Sequence, residues 1–321
     1  MNRVSGRSRI VSLMFSGSSE DRPAFAATLM VAALFMLGFQ DALVKLVSGD
    51  VSLWQFQALR ASLNFVVLIV VTRLVLGRLE ARPARLWPVA LRSFFLVCAM
   101  CLFFGGIPFL SLPEIAAGLY VFPLFVAILS SLLLGERVGP RRLSAIFAGF
   151  IGTLLILKPG SEAFKPVGLM PIGAALCYAS TILTTRRLCR AESPVTLTVG
   201  VAVVFILIGG GMTVLLSLWQ PGSASRWPYL LSGWHALDWW VFSVIAVCSL
   251  INMASNIFLA KAYQSAESSW LAPFDYSYLV FATFWGFVFW GTTPDALTIA
   301  GMTLIAGAGS YVVWRENQLK A

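Results

Sequence analysis

The sequence predicts an all-α, polytopic membrane protein: ten transmembrane helices, as two inverted five-helix repeats. Three observations carry that expectation. Of 321 residues, 59% are hydrophobic and only 12% charged, with a mean hydropathy of +0.84. A soluble domain carries about 25% charged residues, so the missing polar cover implies a surface that faces lipid. Apolar stretches of around 20 residues recur along the chain, each long enough to cross a hydrocarbon core of about 30 Å. Finally, the basic residues are crowded into every second connection.

The spans follow in order. The first half reads as 25–46, 53–72, 89–111, 114–134 and 142–157, with only Ser111, Leu112 and Pro113 marking the seam between the third and fourth. The second half reads as 168–186, 195–218, 238–260, 268–290 and 296–314. The stretch from Ala24 to Val47 is too long for the apolar region of a cleaved signal peptide, so it is taken as a span. Arg3, Arg7, Arg9 and Arg22 precede it. Arg73, Arg78, Arg82, Arg85 and Arg92 stand in the second connection, and Arg137, Arg141 and Arg142 in the fourth. Arg186, Arg187 and Arg190 follow in the sixth, Lys261 in the eighth, and Arg315 and Lys320 at the end. The odd connections hold only Lys158, Lys165 and Arg226. This alternation implies an even number of crossings and, by the positive-inside rule, two cytoplasmic termini in a bacterial inner membrane. The net charge of +9 and pI near 9.7 therefore do not announce a nucleic-acid partner; the basic residues lie in short runs beside apolar segments, against the lipid bilayer.

The chain also matches itself. Leu34–Leu46 resembles Leu176–Leu188 at an offset of 142, setting Lys45 opposite Arg187. Ala116, Tyr120, Phe125 and Gly135 align with Ala272, Tyr276, Phe281 and Gly291 at an offset of 156. Each half holds five spans. Because five is odd, the second half enters the membrane from the opposite side, and such inverted repeats are characteristic of transporters. The organisation is then a cytoplasmic tail (1–24), a first repeat (25–160), a second repeat (161–316) and a cytoplasmic C-terminal tail (317–321).

In this frame several local motifs resemble the drug/metabolite transporter superfamily, specifically its EamA-type permeases. They are Asp41-Ala-Leu-Val-Lys45, Gln55–Arg60, Leu112-Pro-Glu-Ile-Ala, Phe122-Pro-Leu-Phe and Leu134-Gly-Glu-Arg-Val138 in the first half. Tyr178, Thr185-Arg-Arg-Leu188, Ala272-Pro-Phe-Asp-Tyr276 and Tyr311 with Arg315-Glu316 follow in the second. One departure is Gly291-Thr292, where the first half has Gly135-Glu136. The resemblance implies a basket of helices around a central cavity, with the fifth and tenth spans packed outside it. It also implies a secondary transporter of small metabolites, with amino-acid export, of neutral and aromatic amino acids, as the expected activity. Transport of S-adenosylmethionine, riboflavin or another nucleoside-like metabolite is the alternative.

An ionisable group at membrane depth costs at least about 2.5–3.5 kcal/mol, so each one calls for a reason. Asp41 and Lys45 share a helix face, as a mutually neutralising pair or as a substrate contact. Arg60 lies deeper, on one side of its span with Gln57 and Asn64, and its permanent charge needs an acid, with Asp41 or Glu114 the expected partner, or else a wet cavity and a substrate carboxylate. In the eighth span Ser249, Asn252, Asn256 and Tyr263 form a polar stripe, either interhelical glue or a lining for a zwitterion. In the ninth, Trp270, Phe274, Tyr278, Phe281 and Trp285 make an aromatic ribbon that packs or lines a cavity, with Asp275 beside it to balance an ammonium, carry a proton or pair with Lys261. Tyr120 and Tyr178 complete the expected substrate contacts. Pro123 and Pro273 are read as kinks in equivalent spans, and Gly149, Gly152 and Gly301 as points of close helix approach.

Nothing in the sequence suggests an enzyme. The sole histidine, His235, falls in a connection, and no nucleophile–base pair stands out. Cys98 and Cys101 form a C-x-x-C with no second pair and no nearby histidine, which points to packing. Gly209-Gly210-Gly211 is not followed by the Gly-Lys-Ser/Thr of a phosphate loop. No cofactor, metal or catalytic residue is expected; the partners are a small-molecule substrate and the bilayer, with oligomeric state left open.

Overall fold

The computed structural model describes residues 23–76, 83–135, 140–158, 165–219, 222, 226–266, 271 and 274–318, and among these there is no β-strand. Helices α1 (Pro23–Val47), α2 (Leu53–Leu76) and α3 (Leu86–Gly106) come first, followed by two short helices, α4 (Leu112–Leu119) and α5 (Phe122–Leu134), and by α6 (Pro140–Leu157). A 3₁₀ turn, Pro166–Gly168, leads into α7 (Leu169–Leu188); then come α8 (Pro194–Trp219), the single-turn α9 (Pro228–Leu231), α10 (Trp239–Ser265), α11 (Ser277–Trp290) and α12 (Ala296–Gln318). Proline opens α1, α6, α8 and α9, where its fixed φ suits the first turn and its missing N–H is not needed.

Among the described residues, seven helical stretches are long and apolar enough to cross a bilayer: Pro23–Val47, Leu53–Val70, Leu86–Gly106, Leu112–Leu133, Pro166–Leu188, Pro194–Trp219 and Trp239–Tyr263. Phe147–Leu157, Ser277–Trp290 and Ala296–Ala308 are shorter apolar helices. The chain is thus a polytopic membrane protein. Large apolar side chains such as Leu132, Leu207, Leu218 and Val280 stand uncovered on its outside, as a lipid-facing surface requires.

The fourth predicted span is not one helix. Pro123 does not kink it; it sits at the start of α5, after a turn at Tyr120 and Val121 that ends α4. Pro273 lies outside the described residues. Both α5 and α11 end in a glycine in the left-handed region, Gly135 (φ 68°) and Gly291 (φ 63°), where a side chain would be strained. These are the two glycines paired by the internal alignment.

α1 packs on α10 and α11, α3 on α7 and α8, α2 on α8 and α10, α7 on α4 and α5, and α4 on α11. α6 packs chiefly on α12. That last crossing is made by Gly152 and Gly301: a Cβ on Gly152 would lie 2.7 Å from the Gly301 carbonyl oxygen and 2.9 Å from Ile305, and one on Gly301 would lie 2.6 Å from Ile156. Each glycine therefore faces the other's backbone and the isoleucine four residues beyond it, a reciprocal contact of the kind a two-fold axis generates. Gly149 has open space around it and plays no part in the approach.

Candidate substrate site

The late part of α1, the early part of α2 and the middle of α10 bring the polar residues of three spans together. Asp41 is 5% exposed, and its carboxylate accepts a hydrogen bond from the Tyr278 hydroxyl of α11. Lys45 does not pair with it. Its ammonium donates to the Leu110 carbonyl at 2.6 Å and lies 5.0 Å from the Trp290 ring centroid. The turn after α3 presents carbonyls that no helix satisfies, and Lys45 and Lys165 both cap it, the latter on Phe109 O at 3.0 Å.

Arg60 is 6% exposed, and neither expected acid pairs with it. Glu114 is taken by a helix cap, accepting from Ser111 N and Ser111 Oγ at 2.7 Å each. Asp41 is engaged by Tyr278 and feels the Arg60 charge only at longer range. Among the described residues no carboxylate comes within ion-pair distance of the guanidinium, which instead lies 4.7 Å from the Phe104 ring centroid and 5.8 Å from that of Phe56. Cation–π contacts are worth about 2 kcal/mol when desolvated, whereas removing an ion from water costs several kcal/mol. The rings do not offset that cost alone. Arg60 is an under-compensated cation.

Its surroundings are polar and closed. Ser249 Oγ donates to the Arg60 carbonyl at 3.2 Å, and Asn64 Nδ2 reaches Asn252 Oδ1 at 3.4 Å. Asn256 Nδ2 donates to the Asn252 carbonyl at 2.7 Å and contacts its Oδ1 at 3.2 Å. The two stripes read from the sequence therefore face each other, and the α10 stripe continues outward through Asn256 to Tyr263, which is 44% exposed. Buried atoms with no hydrogen-bond partner include both amide atoms of Gln57, Gln40 Oε1 and the Tyr229 hydroxyl. Each costs about 1–3 kcal/mol when left unmade. Tyr229 and the thiols of Cys101 and Cys248 all lie within range of the Arg60 charge.

A second cluster adjoins the first through Tyr120. Its hydroxyl donates to the Asp275 carbonyl at 2.7 Å, and its ring stacks 6.0 Å from Tyr278, the residue that holds Asp41. Tyr276, its partner in the internal alignment, is 5.4 Å away. Tyr178 packs edge-on against Phe122 at 5.1 Å and feels the charges of Asp275 and Arg92. Arg92 in turn ties α3 to α7 and α8, through Thr185 Oγ1 and the Leu197 carbonyl, each at 3.3 Å. Asp41, Arg60, Tyr120, Tyr178, Asn252, Asn256 and Asp275 thus belong to one connected region; Trp270 lies outside the described residues.

One part of this region escaped the sequence reading. The connection from Arg226 to Asp238 folds over the start of α2. Ser52 Oγ donates to the Gly233 carbonyl at 2.9 Å, Trp54 Nε1 to that of Leu230 at 2.8 Å, and Gln55 exchanges two hydrogen bonds of 2.9 Å with the backbone of His235. This roof drives Tyr229, 3% exposed, down towards Arg60. The signal was the polar run Ser52…Gln55 at the head of an apolar span, which has no use for such residues unless they meet backbone.

The description EamA-like transporter family fits the chain twice, over residues 24–158 and 166–314. The chain is 31% identical over 194 residues to the riboflavin transporter of Rhizobium johnstonii, a match spanning 60% of this chain and 59% of that relative, about three fifths of its length. It is 26% identical over 287 residues to the pseudopaline exporter of Pseudomonas aeruginosa, covering 87% of this chain and 93% of the exporter. A solved crystal structure, 18% identical, superposes with a TM-score of 0.60 over 95% of this chain and 99% of its own, a likeness of fold.

Proposed function

The chain belongs to the EamA-like transporter family, and we propose that it is a secondary transporter working by alternating access between two inverted halves of five spans each, divided near residue 160, with both termini cytoplasmic. The double family match supports the duplication. So does the packing: exchanging each helix for its counterpart turns α1–α10 into α7–α3, and α2–α10 into α8–α3, and both members of each pair occur. The reciprocal Gly152–Gly301 crossing and the Tyr120–Tyr276 contact lie where an exchange axis would run.

The single observation that carries transport is Arg60. A permanent cation buried in a span, held by rings and with no carboxylate at ion-pair distance among the described residues, is costly unless something else completes it. A substrate group supplies what is missing. The relatives and the aromatic surroundings favour a flat, heterocyclic, riboflavin-like metabolite. A second reading, export of neutral or aromatic amino acids, rests on Asp41 lying within range of Arg60, since a zwitterion would meet both charges. Purified protein in liposomes, assayed by counterflow of labelled riboflavin, S-adenosylmethionine and a panel of amino acids, separates the two. Flux of amino acids alone would discard the heterocycle, and no flux of any would discard Arg60 as a substrate contact.

A further inference from the structure

Resting on the heterocycle reading above, we infer that Gln57 is a specificity-determining residue that reads the imide or lactam edge of the substrate. Gln57 is 1% exposed, and neither its amide oxygen nor its amide nitrogen has a partner. A primary amide offers one donor and one acceptor side by side in a plane, so a single planar group satisfies both when it carries an acceptor and a donor on adjacent atoms. A carboxylate fills the nitrogen and sets lone pairs against the oxygen. An ammonium fills the oxygen and leaves the nitrogen bare. A lactam answers both.

The neighbours extend the match. Arg60 stands one turn along the same side of α2, held against Phe56 and Phe104, and supplies further donors for the second carbonyl of an imide. The Tyr229 hydroxyl and Gln40 Oε1 are also buried and unpartnered. Being uncharged, Gln57 adds nothing to the cost of Arg60 and confers direction that a point charge lacks.

The test uses the full chain in liposomes and compares counterflow of riboflavin with riboflavin methylated on its imide nitrogen. Wild type should prefer the unmethylated compound by about tenfold or more, the worth of one hydrogen bond to a buried partner. Gln57→Leu should lower riboflavin flux to the level of the methylated analogue and erase the preference, with the elution profile of the purified protein unchanged. Should Gln57→Leu not fold, the near-isosteric Gln57→Met takes its place in the same comparison. Flavin flux indifferent to methylation, or a preference that survives Gln57→Leu, overturns the role of Gln57 while leaving the transporter reading intact. Absence of any flavin flux overturns the substrate reading and the imide assignment together.

Discussion

Replacing Gly152 by alanine places a methyl group where α6 and α12 touch. A Cβ there sits 2.7 Å from the Gly301 carbonyl oxygen and 2.9 Å from Ile305 Cγ1. A backbone oxygen cannot swing aside as the end of a side chain can, so the helices must part. Overpacking of this kind costs about 1–3 kcal/mol. Gly149, on the same helix, has nothing within 4 Å of its added Cβ, and Gly149→Ala gains about 0.5–1 kcal/mol from helix propensity. Both substitutions share that propensity gain, so Gly152→Ala should be less stable than Gly149→Ala by the overpacking cost alone, about 1–3 kcal/mol. Thermal unfolding of the purified proteins in one detergent, followed by tryptophan fluorescence, measures the difference. Because the crossing is reciprocal, Gly301→Ala should resemble Gly152→Ala, and the double variant should lose less than both losses combined, since the helices separate only once. Equal melting temperatures for Gly149→Ala and Gly152→Ala would refute the crossing as described.

Arg60→Gln should reduce transport at least about tenfold while folded protein is retained or improved, because a costly buried cation is removed; loss of folded protein instead would mark Arg60 as structural. Tyr278→Phe strips the buried Asp41 carboxylate of its donor and should cost about 1–3 kcal/mol, read as a lowered melting temperature that Asp41→Asn does not deepen. Gln55→Leu leaves the N–H and carbonyl of His235 unpaired, and faster amide hydrogen exchange confined to the 226–238 connection is the expected result. At the α6–α12 ends, Lys158 Nζ lies 2.5 Å from Asp295 Oδ2. This pairing, helped by Thr298, holds the exposed Asp295 carboxyl down at about 2 from its ordinary 3.8. Its stabilisation is therefore complete above 3.8 and lost as pH falls through about 2, so wild type and Asp295→Asn should differ by a constant gap at neutral and mildly acidic pH; a gap that closes well above 3.8 would contradict the pairing.

Seven of the expected spans were legible because each is a local property: about twenty apolar residues suffice to name one. The approach of α6 and α12 was also legible in part, since Gly152 and Gly301 are the small residues that such contacts require. The partners of the buried charges were not. Asp41 meets Tyr278 at a separation of 237 residues, and no spacing rule spans that distance. Helical spacing put Lys45 beside Asp41, but the unsatisfied carbonyls of the α3–α4 turn drew it away. Glu114 is a different case: Ser111-Leu-Pro-Glu114 has the Ser-x-x-Glu form of a capping box, so its engagement could have been read in advance. The break at Tyr120 shows how Phe122-Pro123 acts as a helix start when a turn precedes it, where an uninterrupted apolar run had suggested a kink.

The hold of Gln55 on the roof goes to main-chain atoms of residue 235, not to an imidazole. That attachment is accordingly blind to what residue 235 is, with proline the exception because it brings no N–H, and protonating His235 leaves it untouched. Divergence can thus rewrite the outer surface of this connection without loosening its anchor, so long as position 55 keeps a side chain able to give and take at once.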